Sequence, residues 1–291
     1  MLLARLPDGR DLEYESLGPE SAPVVLFHHG MPGSAVPMDT VLAPVLERGF
    51  RVVTYSRPGY GRSTPVPGRT VAETAADCAR LIDHLGIARY CGFGWSGGGP
   101  HALASAAVDA HRVSGVLISA SFAPPTAPGL DFVAGMGEQN GIQFRSLQEG
   151  DRAARAVVSR MAAAVRGNRP EDVTAQLSSL FPDVDVSVMT SGFGADNAAN
   201  MDHALEAGNE GWLADLKALG GDWGFDLADV VAPVELWHGE LDRMVPVAHG
   251  EWLSRNLTDV RAHLEPDHGH VSLTVQKVGS MLDALTSRLN R

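Results

Sequence analysis

An α/β architecture, with a mostly parallel central sheet flanked by helices and interrupted by a helical insertion, is predicted by three features of the sequence. Short apolar runs without alternation recur, as in Val24-Val25-Leu26-Phe27-His28. Runs of this kind mark strands covered on both faces, the situation in a parallel sheet. They alternate with segments of helical periodicity over residues 24–119 and again from 234 onward, the pattern of strands joined by right-handed crossovers. Between about 123 and 221 the alternation stops and the patterning is helical. The expected organisation is a first core part over 1–122, an insertion over 123–221 and a second core part over 222–291.

The elements follow in order. Leu2–Leu6 and Leu12–Leu17 read as short strands turning at Asp8-Gly9, a hairpin signal. Val24–His28 is the first buried strand and runs into His29-Gly30-Met31-Pro32-Gly33. Val41–Arg48 has helical spacing and stops at Gly49; Arg51–Tyr55 is the next strand, closed by the turn-rich Arg57-Pro58-Gly59-Tyr60-Gly61. Thr70-Val71-Ala72-Glu73 is a capping box, in which hydroxyl and carboxylate satisfy two orphan amide donors reciprocally. Behind it Val71, Ala75, Cys78, Ile82 and Leu85 form one apolar helix face, ended by Gly86. Tyr90–Trp95 and Val113–Ser119 are strands with an alanine-rich helix between them. In the insertion, Asp151–Arg166 and Glu171–Leu180 read as helices, and residues 170–215 carry nine acids without one Lys or Arg. Val234–His238, a helix near His249–Asn256, a strand at Arg261–Leu264 and a helix over Val271–Arg288 complete the chain.

Bulk properties exclude several classes. With 35 acids against 23 Lys and Arg, the net charge of −12 argues against nucleic acid or an anionic membrane as partner, since both reward a basic patch. A chain of 291 residues buries enough apolar surface to need no disulfide or metal staple, and Cys78 and Cys91 alone make no disulfide framework. The sequence contains no run of about 18 apolar residues and no basic start followed by an apolar stretch, so the expectation is a cytoplasmic protein without a spanning helix. No Cys/His cluster has ligand spacing and no Lys follows the glycines as in a phosphate-binding loop, so neither metal nor cofactor is expected. The expected partner is a small-molecule substrate; the oligomeric state is not encoded.

Gly94-Trp95-Ser96-Gly97-Gly98 matches G-x-S-x-G between a strand and a helix. A Ser on such a turn takes a strained backbone conformation, its neighbours two residues away must lack side chains, and the helix start favours developing negative charge. Ser96 is therefore the candidate nucleophile. Its hydroxyl is weak until a base takes the proton. With this motif the partners follow in the order Ser, acid, His, which leaves His249, His263, His268 and His270. His249 opens a helix and His263 lies within a strand, so both read as structural; Asp267-His268-Gly269-His270 lies in the loop after the last strand. The acid should end the preceding strand, where Trp237-His238-Gly239-Glu240-Leu241-Asp242 offers Asp242 first and Glu240 second. No carboxylate follows the strand at Val113–Ser119 before Asp131. An oxyanion needs two preorganised amides: Gly97 supplies one, and the turn after Val24–His28 supplies the other through Met31.

These residues resemble the α/β-hydrolase superfamily, in particular the branch of proline iminopeptidase-like and small esterase-like enzymes. The resemblance is carried, in family order, by His29–Gly33, Ser56-Arg57-Pro58-Gly59-Tyr60-Gly61-Arg62-Ser63, Gly94–Gly98, His238–Asp242 and Gly269-His270. It implies that the catalytic His directly follows a Gly, selecting His270 over His268, and that the insertion is a helical cap shaping the pocket. Met31 stands where iminopeptidases usually have a second Gly, and the candidates for their amine-holding carboxylates are Glu138 and the acids between Glu171 and Asp215. Ser96 argues against haloalkane dehalogenase chemistry, which uses Asp. Trp95, Trp212, Trp223 and Phe225 are candidates for an apolar pocket wall, alongside plain core packing. The expected activity is hydrolysis of a small ester, then of a thioester or amide, through an acyl-enzyme on Ser96. Aminopeptidase, hydroxynitrile lyase or cofactor-free oxygenase chemistry and a non-catalytic receptor are the alternatives on the same scaffold.

Overall fold

The computed structural model describes residues 1–166 and 180–290. Its strands are β1 (Leu2–Arg5), β2 (Asp11–Leu17), β3 (Val24–His28), β4 (Arg51–Tyr55), β5 (Tyr90–Trp95), β6 (Val113–Ser119), β7 (Val234–Gly239) and β8 (Val260–Glu265). They form one sheet in the order β1-β2-β4-β3-β5-β6-β7-β8. The first two strands and the β2–β4 pair are antiparallel; the rest of the sheet is parallel. The unbroken apolar runs are explained by packing on both faces. Along β3, Leu26 faces Cys78, Leu81 and Ile82 of α2 (Val71–His84) and Leu103 of α3 (Gly99–Val108). Val25 and Phe27 face the other way, toward α1 (Asp39–Glu47) and the C-terminal helix. Cys78 and Cys91 are both buried and belong to these opposite layers.

Most elements fall within a residue or two of their sequence-based bounds, and the α2 capping box forms, with Thr70 N–H donating to Glu73 at 2.7 Å and Glu73 N–H to Thr70 Oγ1 at 3.1 Å. Between β6 and β7 every regular element among the described residues is helical: α4 (Glu138–Gln148), α5 (Asp151–Val165), α6 (Asp183–Val188), α7 (Gly194–Ala204) and α8 (Glu210–Leu219). The helix expected over Glu171–Leu180 lies, apart from Leu180, outside the described residues. α4 has no counterpart in the sequence reading, because its buried side is largely polar (Asn140, Gln143 and Ser146 beside Phe144), so apolar periodicity does not mark it. A wide turn at Met189–Phe193 bends the chain between α6 and α7, with Gly192 at φ 112°. α9 (Val247–Asn256) and α10 (His270–Leu289) return to the core. Among the described residues no helix is long and apolar enough to cross a membrane.

β3 is flanked by β4 on one side and β5 on the other. The chain order reverses there, and the crevice beyond the carboxyl ends of such a pair is where open α/β sheets place ligands. The loop after β3 and the turn after β5 both open into it.

Several histidines in this core are deprived of water. Burial, helped by the Arg57 charge, holds His28 down at about 3, and burial, with the His238 charge, holds His249 at about 4. Unfolded, each returns toward 6.5. Below that pH the unfolded chain takes up protons that the folded chain refuses, so stability falls as pH drops from 6.5 toward the folded values. Unfolding by urea should show a loss of about 2 kcal/mol per buried histidine between pH 7.5 and 5. A midpoint independent of pH over that range would contradict the burial of these rings.

Candidate active site

β5 ends at Trp95, and Ser96 follows at φ 57°, a left-handed conformation rare for a side chain of this kind. The turn closes only because its flanks are bare: a Cβ on Gly94 would meet Gly98 O at 2.4 Å, and one on Gly98 would meet His28 O at 1.9 Å. The chain then passes through a short turn (Ser96–Gly98) into α3, so Ser96 stands at a helix start.

His270 is the first residue of α10 and 1 % exposed. Its Nδ1 lies 2.7 Å from Asp242 Oδ2. The other carboxylate oxygen of Asp242 accepts N–H donors from Met244 and Val245, both at 2.8 Å. One oxygen is therefore fixed by backbone and the other given to the imidazole. With Nδ1–H donated to Asp242, Nε2 is left as an acceptor. Ser96 and His270 line the same cavity. No hydrogen bond joins them in this structure, a common state before substrate tightens such contacts. Trp95 packs against His270 with ring centroids 5.7 Å apart.

The loop after β3 borders Ser96. A Cβ on Gly97 would lie 3.4 Å from Met31 N, which puts the two backbones in contact. Arg57 donates to His29 O at 2.6 Å and to Gly30 O at 2.7 Å. Because C=O and N–H of one trans peptide unit point in opposite directions, turning Gly30 O toward Arg57 turns Met31 N–H away from it. The guanidinium is itself held by Asp215 of α8, with Nε at 2.9 Å and Nη2 at 2.5 Å from Oδ2. Arg69 Nη2 reaches Oδ1 at 2.5 Å, and the Tyr60 hydroxyl donates to Oδ2 at 2.9 Å. Burial alone would raise the Asp215 carboxyl; the Arg57 and Arg69 charges override it and hold the group far below the ordinary carboxylate range.

The cavity wall is apolar. Met31, Met161, Met189, Met201 and Met244 line it together with Trp95, Phe181, Phe193 and Trp212. Three of its polar members form a relay, in which Trp212 Nε1–H donates to Gln143 Oε1 at 2.9 Å, Gln143 Nε2 to Asn140 Oδ1 at 3.1 Å, and Asn140 Nδ2 to Met244 O at 2.9 Å; Gln139 and Asn197 line the cavity outside it. Among the described residues no Asp, Glu, Lys or Arg lines this cavity.

Of the sequence candidates, Ser96, His270, Met31, Trp95 and Trp212 meet at the cavity, with Asp242 and Gly97 directly behind. Two others do not. Glu138 is exposed, because the helical turn that aims Gln139, Asn140 and Gln143 inward points it to solvent. Trp223 lies past the end of α8, buried in the core, where it stacks on Phe225 and donates to Leu219 O at 3.2 Å. Of the acids of the insertion, Asp185 and Asp215 are fully buried on partners of their own rather than facing the cavity; Glu171 and Asp172 lie outside the described residues. Glu240 is exposed, His263 pairs with Glu235 at 2.7 Å, and His249 bonds Ala123 N–H and Phe132 O. The methionines and amides of the wall were not legible in the sequence, since nothing local distinguishes a pocket methionine from a core one.

Removing Asp215 strands two buried guanidinium groups. Asp215→Ala should lower unfolding free energy by about 3–5 kcal/mol, whereas Glu210→Ala, which breaks the exposed pair with Arg155, should cost under about 1 kcal/mol. Equal effects in denaturant titrations would refute the claim that the buried network braces this region.

The family model described as alpha/beta hydrolase fold matches residues 23–275. A non-heme haloperoxidase from Rhodococcus erythropolis is 30% identical over 279 residues, covering 92% of each chain. The bifunctional esterase/perhydrolase of Acinetobacter calcoaceticus is 42% identical over 93 residues, a match that spans 32% of this chain and only 34% of that one. The structure of an esterase from Exiguobacterium antarcticum superposes with a TM-score of 0.70 over 99% of both chains at 19% identity, a likeness of fold. Fold, strand order and sequence agree, and the chain belongs to the alpha/beta hydrolase family.

Proposed function

We propose that the protein is a serine hydrolase that cleaves small, uncharged esters through an acyl-enzyme on Ser96. The observation that carries this reading is the joint exposure of Ser96 and His270 to one cavity, with the far side of the imidazole tied to buried Asp242. His270 takes the hydroxyl proton as Ser96 attacks the carbonyl, and the oxyanion accepts from the amides of Gly97 and Met31. The imidazolium, held by Asp242, returns the proton to the leaving alcohol. Water, deprotonated by His270, then releases the acid. The insertion over 123–221 serves as the cap, and its largely apolar wall selects the acyl group. Aminopeptidase action needs an anion for the substrate amine, and none lines the cavity among the described residues.

The word perhydrolase in the name of one relative favours a second outcome for the same intermediate. Hydrogen peroxide in place of water would attack the acyl carbonyl, leave as the peracid and return the Ser96 hydroxyl.

Ser96→Ala should lower turnover of p-nitrophenyl esters by at least about 10⁴-fold with an unchanged circular dichroism spectrum; full activity in that variant would sink the assignment. Across an ester panel, a carboxylate on the acyl chain should reduce kcat/KM by roughly tenfold or more against its neutral isostere, since an unpaired charge is costly in an apolar wall. Equal rates, or preference for aminoacyl-naphthylamides, would contradict the neutral-substrate reading.

A further inference from the structure

α10 runs for 20 residues and begins at His270. The peptide dipoles of such a helix place roughly half a positive charge at its N-terminus, and its first N–H groups have no partner within the helix. A base standing there works against that field, because it becomes positive as it takes a proton. Gly269, the preceding residue, has no side chain with which to cap the helix.

The cap comes instead from the insertion, 85 residues away. Asp185 of α6 accepts His270 N–H on Oδ2 at 2.8 Å and accepts Val271 and Ser272 N–H on Oδ1 at 3.2 and 2.8 Å. It is 0 % exposed, and among the described residues no Lys, Arg or His pairs with it. A carboxylate withdrawn from water and given only amides is costly to keep. Gly269 makes room for it: a Cβ there would lie 2.5 Å from Asp185 Oδ2. The glycine before the imidazole is thus explained by the carboxylate it admits.

We propose that Asp185 is a positioning residue for the reaction. It locks the backbone of His270 and offsets the helix field where the imidazolium forms, so the base is placed by the insertion as well as by its own helix. The proposal rests on the reading of Ser96 and His270 as nucleophile and base.

Two variants test it from opposite sides. Asp185→Asn keeps the volume and removes the charge; Gly269→Ala keeps the charge and displaces the carboxylate. Asp183→Asn, exposed on the same helix, is the control. The readouts are the rate of Ser96 labelling by a fluorophosphonate, kcat and KM on a p-nitrophenyl ester, and amide hydrogen exchange at residues 270–272. Both test variants should lose roughly tenfold to a hundredfold in labelling rate and kcat, with KM within about threefold and faster exchange at 270–272, while the control matches the parent protein. Folded Asp185→Asn that labels at the parent rate, or that raises KM with kcat unchanged, would show Asp185 to be a fastener of the insertion only, and overturn the proposal. A parent protein that resists labelling would bring down the hydrolase reading itself, and this proposal with it.

Discussion

The fully buried carboxylate of Asp215 is the contact around which the cavity face of the sheet is arranged. It sits in a helix of the insertion yet satisfies two guanidinium groups and a phenol from the loop between β4 and α2. Burying such a charge cluster is unfavourable unless every donor and acceptor is matched. Arg57 is matched further through donors to the carbonyls of His29 and Gly30, whereas Arg69 Nε is left without a partner among the described residues. The electrostatic requirement of the network is therefore also a geometric instruction to the loop after β3. Satisfying Arg57 orients the peptide unit whose other end is Met31 N–H. The same charge keeps the neighbouring ring neutral: burial and Arg57 together hold His29 well below the usual histidine range. A neutral His29 can accept Arg57 N–H on Nε2 and donate from Nδ1 to Gly30 O, as the contacts require.

The insertion touches the loops around Ser96 at two further places. Asp185 holds the start of α10 at His270. Gly137 N–H donates to Arg243 O at 2.6 Å and Asn140 to Met244 O at 2.9 Å, fixing the segment whose amides hold Asp242. The loop after β3, the acid loop and the histidine loop each have a polar tie to the helical segment. Each tie is to main chain, or ends on main chain through Arg57. Such ties set backbone direction, and hydrogen bonds from backbone amides weaken steeply as their angle departs from linear. An insertion that only covered the cavity would need apolar contacts alone.

The sheet and its flanking helices were legible because apolar patterning is a local property: an unbroken apolar run such as β3 marks a strand covered on both faces, with Val25 and Phe27 on one side and Leu26 on the other. Ser96 was legible because its turn excludes side chains at two fixed offsets, a constraint written in adjacent residues. Asp242 and the loop holding His268 and His270 were read from position after strands, and the family resemblance, not the local sequence, singled out His270. Asp185 and Asp215 were not legible as buried residues. Each lies in a stretch without Lys or Arg, which reads as a solvated acidic surface, and their partners are 85 to 158 residues away in sequence. Trp212 and Trp223 look alike as composition; helix phase and a hydrogen bond to Gln143 bring the first to the cavity and leave the second in the core. α4 escaped for a related reason. Its inward face is amide-rich, and apolar periodicity is blind to polar residues that bury themselves in pairs.

That pairing bears on what the cavity can recognise. A wall with unpaired amides would demand matching groups on its ligand, and would penalise any substrate lacking them. Here the Trp212–Gln143–Asn140 relay uses most of its capacity internally and delivers its last donor to the Met244 carbonyl. What remains toward the ligand is mainly thioether and aromatic surface, with the amides of Gln139 and Asn197 beside it. Five methionines with unbranched, polarisable side chains can refill the space around ligands of different shape, since such side chains change rotamer at little cost. Discrimination by such a wall is graded by buried area, at about 0.8 kcal/mol for each methylene removed from water. The sharp demands of the site are confined to the few atoms around Ser96, where backbone direction has been set from outside.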